Sequence, residues 1–100
     1  MTKIFTYGSL LDDDVREKVL GRVIDGKSTV LLGYEKIPHS HFYIYPTIIK
    51  NTSKKVEGKI FDVSALDLER LDRYETQLYK KIPVTVSTGE KALTYIENSS

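Results

Sequence analysis

Apolar residues recur along this chain in two rhythms, one alternating and one helical, and the switches between them divide it into short elements. Lys3-Ile4-Phe5-Thr6-Tyr7 is a β-prone run stopped by Gly8-Ser9, which predicts a first strand ending in a tight loop. A helix follows in the pattern. Asp12, Asp13 and Asp14 offer an N-cap and first-turn negative charge, Val15 and Val19 are spaced i to i+4, and Gly21 stands where a helix stops. From Arg22 to Asn51 the chain reads as extended, with strands expected over Ser28 to Pro38 and His41 to Lys50. The polar cluster Asn51-Thr52-Ser53-Lys54 reads as a turn, and Val56 to Val63 as a further strand with Gly58 in its interior.

Ser64-Ala65-Leu66-Asp67 pairs a hydroxyl with a carboxylate three residues on, a capping box with Asp in place of Glu, opening a helix to about Glu75. Tyr79 to Ser87 alternates, Thr88-Gly89-Glu90 turns and Lys91 to Glu97 returns, which predicts a terminal hairpin. Strand, helix, several strands, helix and hairpin in that order argue for an α+β fold: a small, mostly antiparallel sheet that curls or closes with its helices packed against it.

Length and charge narrow the picture. A chain of 100 residues is expected to be one domain spanning 1–100, since either half would be too small to hold a core. Fifteen Lys and Arg against fourteen Asp and Glu leave a formal net charge of +1, with no basic stripe to displace counterions from nucleic acid. No segment of the sequence reads as a signal peptide or a membrane span, so a cytoplasmic location is the expectation. Cysteine is absent, which removes disulfides, thiolate nucleophiles and Cys-based metal sites and leaves carboxylates, hydroxyls, His and backbone groups to carry any chemistry.

One carboxylate is out of place. Leu68 and Leu71 mark the buried face of the second helix, and Glu75 lies seven residues after the first, within roughly 20° of it around the axis. Asp67, Glu69, Arg70 and Arg73 fall on or nearer the wet side. Burial would raise the pKa of Glu75 toward the range of a general acid/base; the bland alternative is a frayed helix end with the side chain in water or bonded to backbone. Gly8 lets the chain turn so that successive N–H groups converge in a nest able to hold a carboxylate, although Gly-Ser after a strand is also an ordinary turn.

Taken in order, these pieces resemble the γ-glutamylcyclotransferase-like (AIG2-like) family. Ile4-Phe5-Thr6-Tyr7-Gly8-Ser9-Leu10 is similar to its opening strand and Tyr-Gly-Ser/Thr-Leu loop, and Tyr45-Pro46 to its mid-chain Tyr-Pro. Val56 to Val63 is similar to its glycine-bearing strand, and Leu71-Asp72-Arg73-Tyr74-Glu75 with Tyr79 to its Leu-Asp-x-aromatic-Glu helix end and following tyrosine. The resemblance implies a small closed or nearly closed β-barrel with two short helices packed outside and a cavity at one end. It further implies a γ-glutamyl substrate or small carboxylate ligand, held by Tyr7, Gly8, Ser9 and Leu10 with Tyr79 in support. Glu75 would be the acid/base that lets the substrate's α-amine attack its γ-carbonyl, giving 5-oxoproline with no metal or organic cofactor. Lys81 departs from the family, where many relatives carry Arg two residues after the tyrosine, and the segment Glu35 to His41 leaves little room for long pocket loops. A non-catalytic carboxylate-binding module on the same barrel is the alternative.

The remaining candidates have plainer readings. His39 and His41 share a strand face with Tyr43 and Tyr45, so an aromatic face is favoured over a two-ligand metal site that lacks a third ligand. Ser9 lacks the helix entry of a nucleophile elbow. Lys54-Lys55 and Lys80-Lys81 read as solvated strand ends.

Overall fold

A computed structural model describes residues 2–38 and 46–98. His39, His41, Tyr43 and Tyr45 lie outside them. Five strands, β1 (Thr2–Thr6), β2 (Lys27–Ile37), β3 (Thr47–Val63), β4 (Tyr79–Thr85) and β5 (Lys91–Glu97), form one sheet in the order β2-β3-β1-β5-β4. All neighbours are antiparallel except β1 and β5. The sheet curls into an open barrel, α+β in class. The described residues give no strand ladder between its edges β2 and β4; Ser87, just past β4, donates its N–H to the Val30 carbonyl of β2 at 2.8 Å. Pro83 sits in β4, where the missing N–H is tolerated because the strand is at the edge.

Alternation splits the core into two layers. Phe5 of β1 and Tyr7, just past its end, point into the barrel with Leu31, Ile48, Val56, Ile60, Val84 and Val86. Ile4 points the other way, with Phe61, Val63 and Tyr95, onto α1 (Asp13–Leu20) and α2 (Ala65–Glu75), which contribute Leu20 and Leu71. The Asp12 side chain caps α1, accepting from Asp14 N and Val15 N, and the helix stops at Gly21, whose φ of 73° is left-handed. Ser64 and Asp67 close the expected capping box on α2, at 3.2 and 2.9 Å.

Two expectations are corrected. Asn51 to Lys54 do not end a strand: β3 runs through them as a bulge opposite Gly33, the register passing from Leu32↔Lys55 to Tyr34↔Lys50. The polar cluster bonds locally there, with the Asn51 side chain accepting from Ser53 N at 3.1 Å. Asp67 is not on the wet side but 2% exposed, because capping draws its carboxylate back over the helix start, where Arg22 covers it at 2.5 Å.

Candidate active site

Although β1 and β5 run parallel, they share a single bridged pair, Ile4 with Leu93. Side chains stitch the rest of the seam. Thr94 donates from Oγ1 to the Phe5 carbonyl at 2.9 Å, and the Tyr7 hydroxyl donates to the Tyr95 carbonyl. A cavity of about 260 Å³ lies against this seam, with β1 as its floor, Gly8, Ser9 and Leu10 as its rim, and Glu75, Tyr79 and Tyr95 in its walls.

Glu75 reaches the cavity because α2 lays Leu68 and Leu71 on the sheet and ends one turn later. Thr76 ends the helix with φ 63° and ψ −164°, a conformation that β-branched residues rarely adopt, so the chain turns away as soon as Glu75 has been placed. No hydrogen bond or ion pair engages the Glu75 carboxylate among the described residues. Burial pushes its pKa up from 4.5 to about 7. Burial also raises Tyr7, and the nearby Tyr79 and Glu75 add to the rise, so its phenol stays neutral.

The rim is a 3-10 turn over Ser9–Leu11, closed by Leu11 N to Gly8 O at 3.0 Å and Asp12 N to Ser9 O at 3.1 Å. Such a turn leaves its first N–H groups, those of Ser9 and Leu10, outside its own bonds. Gly8 pairs a negative φ of −123° with a ψ of −134°, outside the β and helical regions that side-chain-bearing residues favour, and a Cβ there would stand 3.3 Å from Pro46 Cγ. Behind the rim, Arg16 is 2% exposed. Its Nη1 donates to Leu10 O at 2.9 Å, Nε to Ile24 O at 2.9 Å and Nη2 to Asp13, while the guanidinium lies 5.5 Å from the Phe61 ring centroid.

Tyr7, Gly8, Ser9, Leu10, Glu75 and Tyr79, scattered over 73 positions of sequence, all line this one cavity. The Leu10 side chain is buried in the helix layer, which leaves its backbone as the available group. Tyr79 donates its hydroxyl to the Pro46 carbonyl at 3.1 Å. The Ser9 hydroxyl lies 2.6 Å from that of Tyr74. Lys81 is absent from the lining and instead lies 3.1 Å from the Asp72 carboxylate, on the outer side of α2, so it is not simply a solvated strand end. Tyr74 and Tyr95, not singled out as site residues from the sequence, also line the cavity, and Arg16, likewise not singled out, lies behind it. Arg16 had a signal, four residues before Leu20 on the same helix face; Tyr95 had none, because the β1–β5 pairing joins opposite ends of the chain.

Residues 4–99 match the family described as "Gamma-glutamyl cyclotransferase, AIG2-like". The chain belongs to that family. It is 33% identical over 99 residues to AIG2-like protein D of Arabidopsis thaliana, covering 94% of this chain and 64% of that protein. Against AIG2-like protein C of the same plant it is 35% identical over 92 residues, with coverages of 88% and 53%. The chain thus spans between about half and two thirds of the length of these curated relatives. A solution structure of an Arabidopsis thaliana protein superposes with TM-score 0.82 at 32% identity, over 96% of this chain and 61% of that one. A structure titled gamma-glutamyl cyclotransferase superposes with TM-score 0.75 at 16% identity, over 97% and 66% of the two chains, a likeness of fold. The fold is therefore shared with that structure at low identity, and the family by its description includes γ-glutamyl cyclotransferases.

Proposed function

We propose that this protein is a γ-glutamylcyclotransferase-type enzyme that releases 5-oxoproline from a γ-glutamyl amine or peptide, with Glu75 as its acid/base. The observation that carries the reading is a carboxylate poised near neutrality in an open cavity, unpaired among the described residues, facing the rim loop. In this reading the N–H groups of Ser9 and Leu10 hold the substrate's α-carboxylate, and Tyr7 and Tyr79 shape the walls. Glu75 takes a proton from the α-amine as its nitrogen attacks the γ-carbonyl carbon. Collapse of the tetrahedral adduct breaks the γ C–N bond, and Glu75 returns the proton to the departing amine. Because nucleophile and electrophile belong to one molecule, holding the near-attack conformer and managing one proton are the catalyst's main tasks. No step calls for a cofactor. A cavity of about 260 Å³ suits the glutamyl head group, with the amine portion at the mouth.

A retired site that only binds carboxylates would tolerate a closed cavity or a salt-bridged Glu75, and neither feature is present among the described residues. Incubation with γ-glutamyl amines, γ-glutamyl amino acids and glutathione, followed by mass spectrometry, tests the proposal. Wild type should release 5-oxoproline from at least one of them and Glu75→Gln should lose about 10²–10⁴-fold in rate. Equal turnover by the two proteins, or none by wild type on any of these substrates, would refute it.

A further inference from the structure

Tyr95 has water on one side and the cavity on the other. The residue is 7% exposed and packs in the layer between the sheet and the helices, yet it lines both the cavity and a wide open depression on the outer surface that also holds Asp72, Lys81 and Asn98. Thr76, Leu78 and Tyr79 are shared by the two hollows as well, so a thin wall of side chains is what separates Glu75 from that outer solvent. The wall is pinned from outside. Tyr95 donates its hydroxyl to Asp72 Oδ1 at 2.7 Å, and Lys81 approaches the same carboxylate at 3.1 Å. Asp72 stands three residues before Glu75 on α2, and its carbonyl accepts the N–H of Thr76, the residue that ends the helix. At the backbone of the same residue, the Tyr95 carbonyl accepts the Tyr7 hydroxyl.

We infer that Asp72 is a positioning residue: by holding the Tyr95 hydroxyl it locks the aromatic partition that keeps water from reaching Glu75 through the outer depression. This rests on the proposed role of Glu75. Burial pushes the Asp72 carboxyl up, but the Tyr95 hydroxyl and Lys81 outweigh it, so the group is ionised near neutrality and accepts a charge-assisted bond. Burial is likewise the cause of the raised Glu75 pKa. Releasing the partition would open a second route for water to Glu75, through the outer depression, and return its pKa toward 4.5. The groups around Glu75 leave few other ways to move it. β1 offers Thr6, the position just past it Tyr7, β4 Tyr79, β5 Tyr95, the rim the Ser9 hydroxyl and α2 itself Tyr74, with Asp72 outside the lining on the outer surface; none of the described lining residues is Lys, Arg or His.

The test is the side-chain carboxyl ¹³C titration of Glu75 in wild type, Asp72→Ala, Asp72→Asn, Tyr95→Phe and Arg22→Lys. Wild type should titrate near 7. Asp72→Ala should fall by about one unit or more, and Tyr95→Phe, which keeps the ring and loses the bond, should move the same way. Asp72→Asn retains an acceptor for the hydroxyl and should stay near wild type. Arg22→Lys weakens another ion pair of the same helix, that to Asp67, and should leave Glu75 unmoved. A wild-type midpoint between 4 and 5 would defeat the functional reading itself. Wild type near 7 with Asp72→Ala and Tyr95→Phe unmoved, or with Arg22→Lys moving Glu75 as far, would overturn the role of Asp72 alone.

Discussion

Glu75 is the residue on which the account turns, and its ionisation ties function to stability. Its folded pKa of about 7 lies above the ordinary 4.5, so the folded state binds the extra proton between those values. Stability therefore falls as pH rises through that window, and the charged form is a standing cost above pH 7. Glu75→Gln should raise the free energy of unfolding by about 1–3 kcal/mol at pH 8 and by nothing measurable at pH 4, read from urea melts at both. A gain at pH 4 as large as at pH 8 would place the cause elsewhere. The position of Glu75 was legible from its spacing after Leu68 and Leu71. Its freedom from a counter-ion was not, since that depends on which side chains three distant strands bring to the cavity. Asp67 shows the limit of helix-face reasoning: the same wheel places it toward water, yet a capping bond turns its side chain back and Arg22, from beyond α1, covers it.

Among the elements, α2 has the most to hold in place, because it delivers Glu75 at one end and is anchored at the other. Burial works against the Asp67 carboxylate, but Arg22 and the Ser64 backbone and hydroxyl outweigh it and hold its pKa down, to about 2. The depressed folded value means that this contribution is present above pH 4 and fades as pH falls toward 2. Asp67→Ala removes half the capping box and strands Arg22; with the partly exposed Arg22 counted conservatively, it should cost about 2 kcal/mol at pH 7 and much less at pH 2.5, measured by denaturant melts. The helices were the most readable elements, since Asp12, Gly21, Ser64 and Asp67 carry their boundaries in local chemistry. The long hairpin of β2 and β3 was less so. Asn51 to Ser53 have the residues of a turn and do form local bonds, but cross-strand pairing on both sides carries β3 straight through them.

At the scale of the molecule, the site is a consequence of how β1 is held. Gly58 of β3 lies against it so closely that a Cβ would stand 2.2 Å from the Thr6 carbonyl oxygen and 2.8 Å from the Phe5 ring. Backbone cannot yield there without moving the strand that runs into the rim loop. Gly58→Ala should therefore cost about 3 kcal/mol and weaken substrate binding together with stability; a variant that melts like wild type would show that β1 is not clamped in this way. A glycine inside a strand pattern already hinted at a close approach, but its neighbour could not be named. The same holds for the β1–β5 seam, whose parallel pairing of chain ends is invisible locally and supplies the cavity floor and one wall.

The most direct test of the whole account is the pH dependence of kcat/KM for 5-oxoproline release. A base that must be ionised to act predicts a rate that rises through a midpoint near 7 and levels off above it, with Glu75→Gln lacking that limb. A rate independent of pH between about 5 and 8, or the same limb in Glu75→Gln, would contradict it.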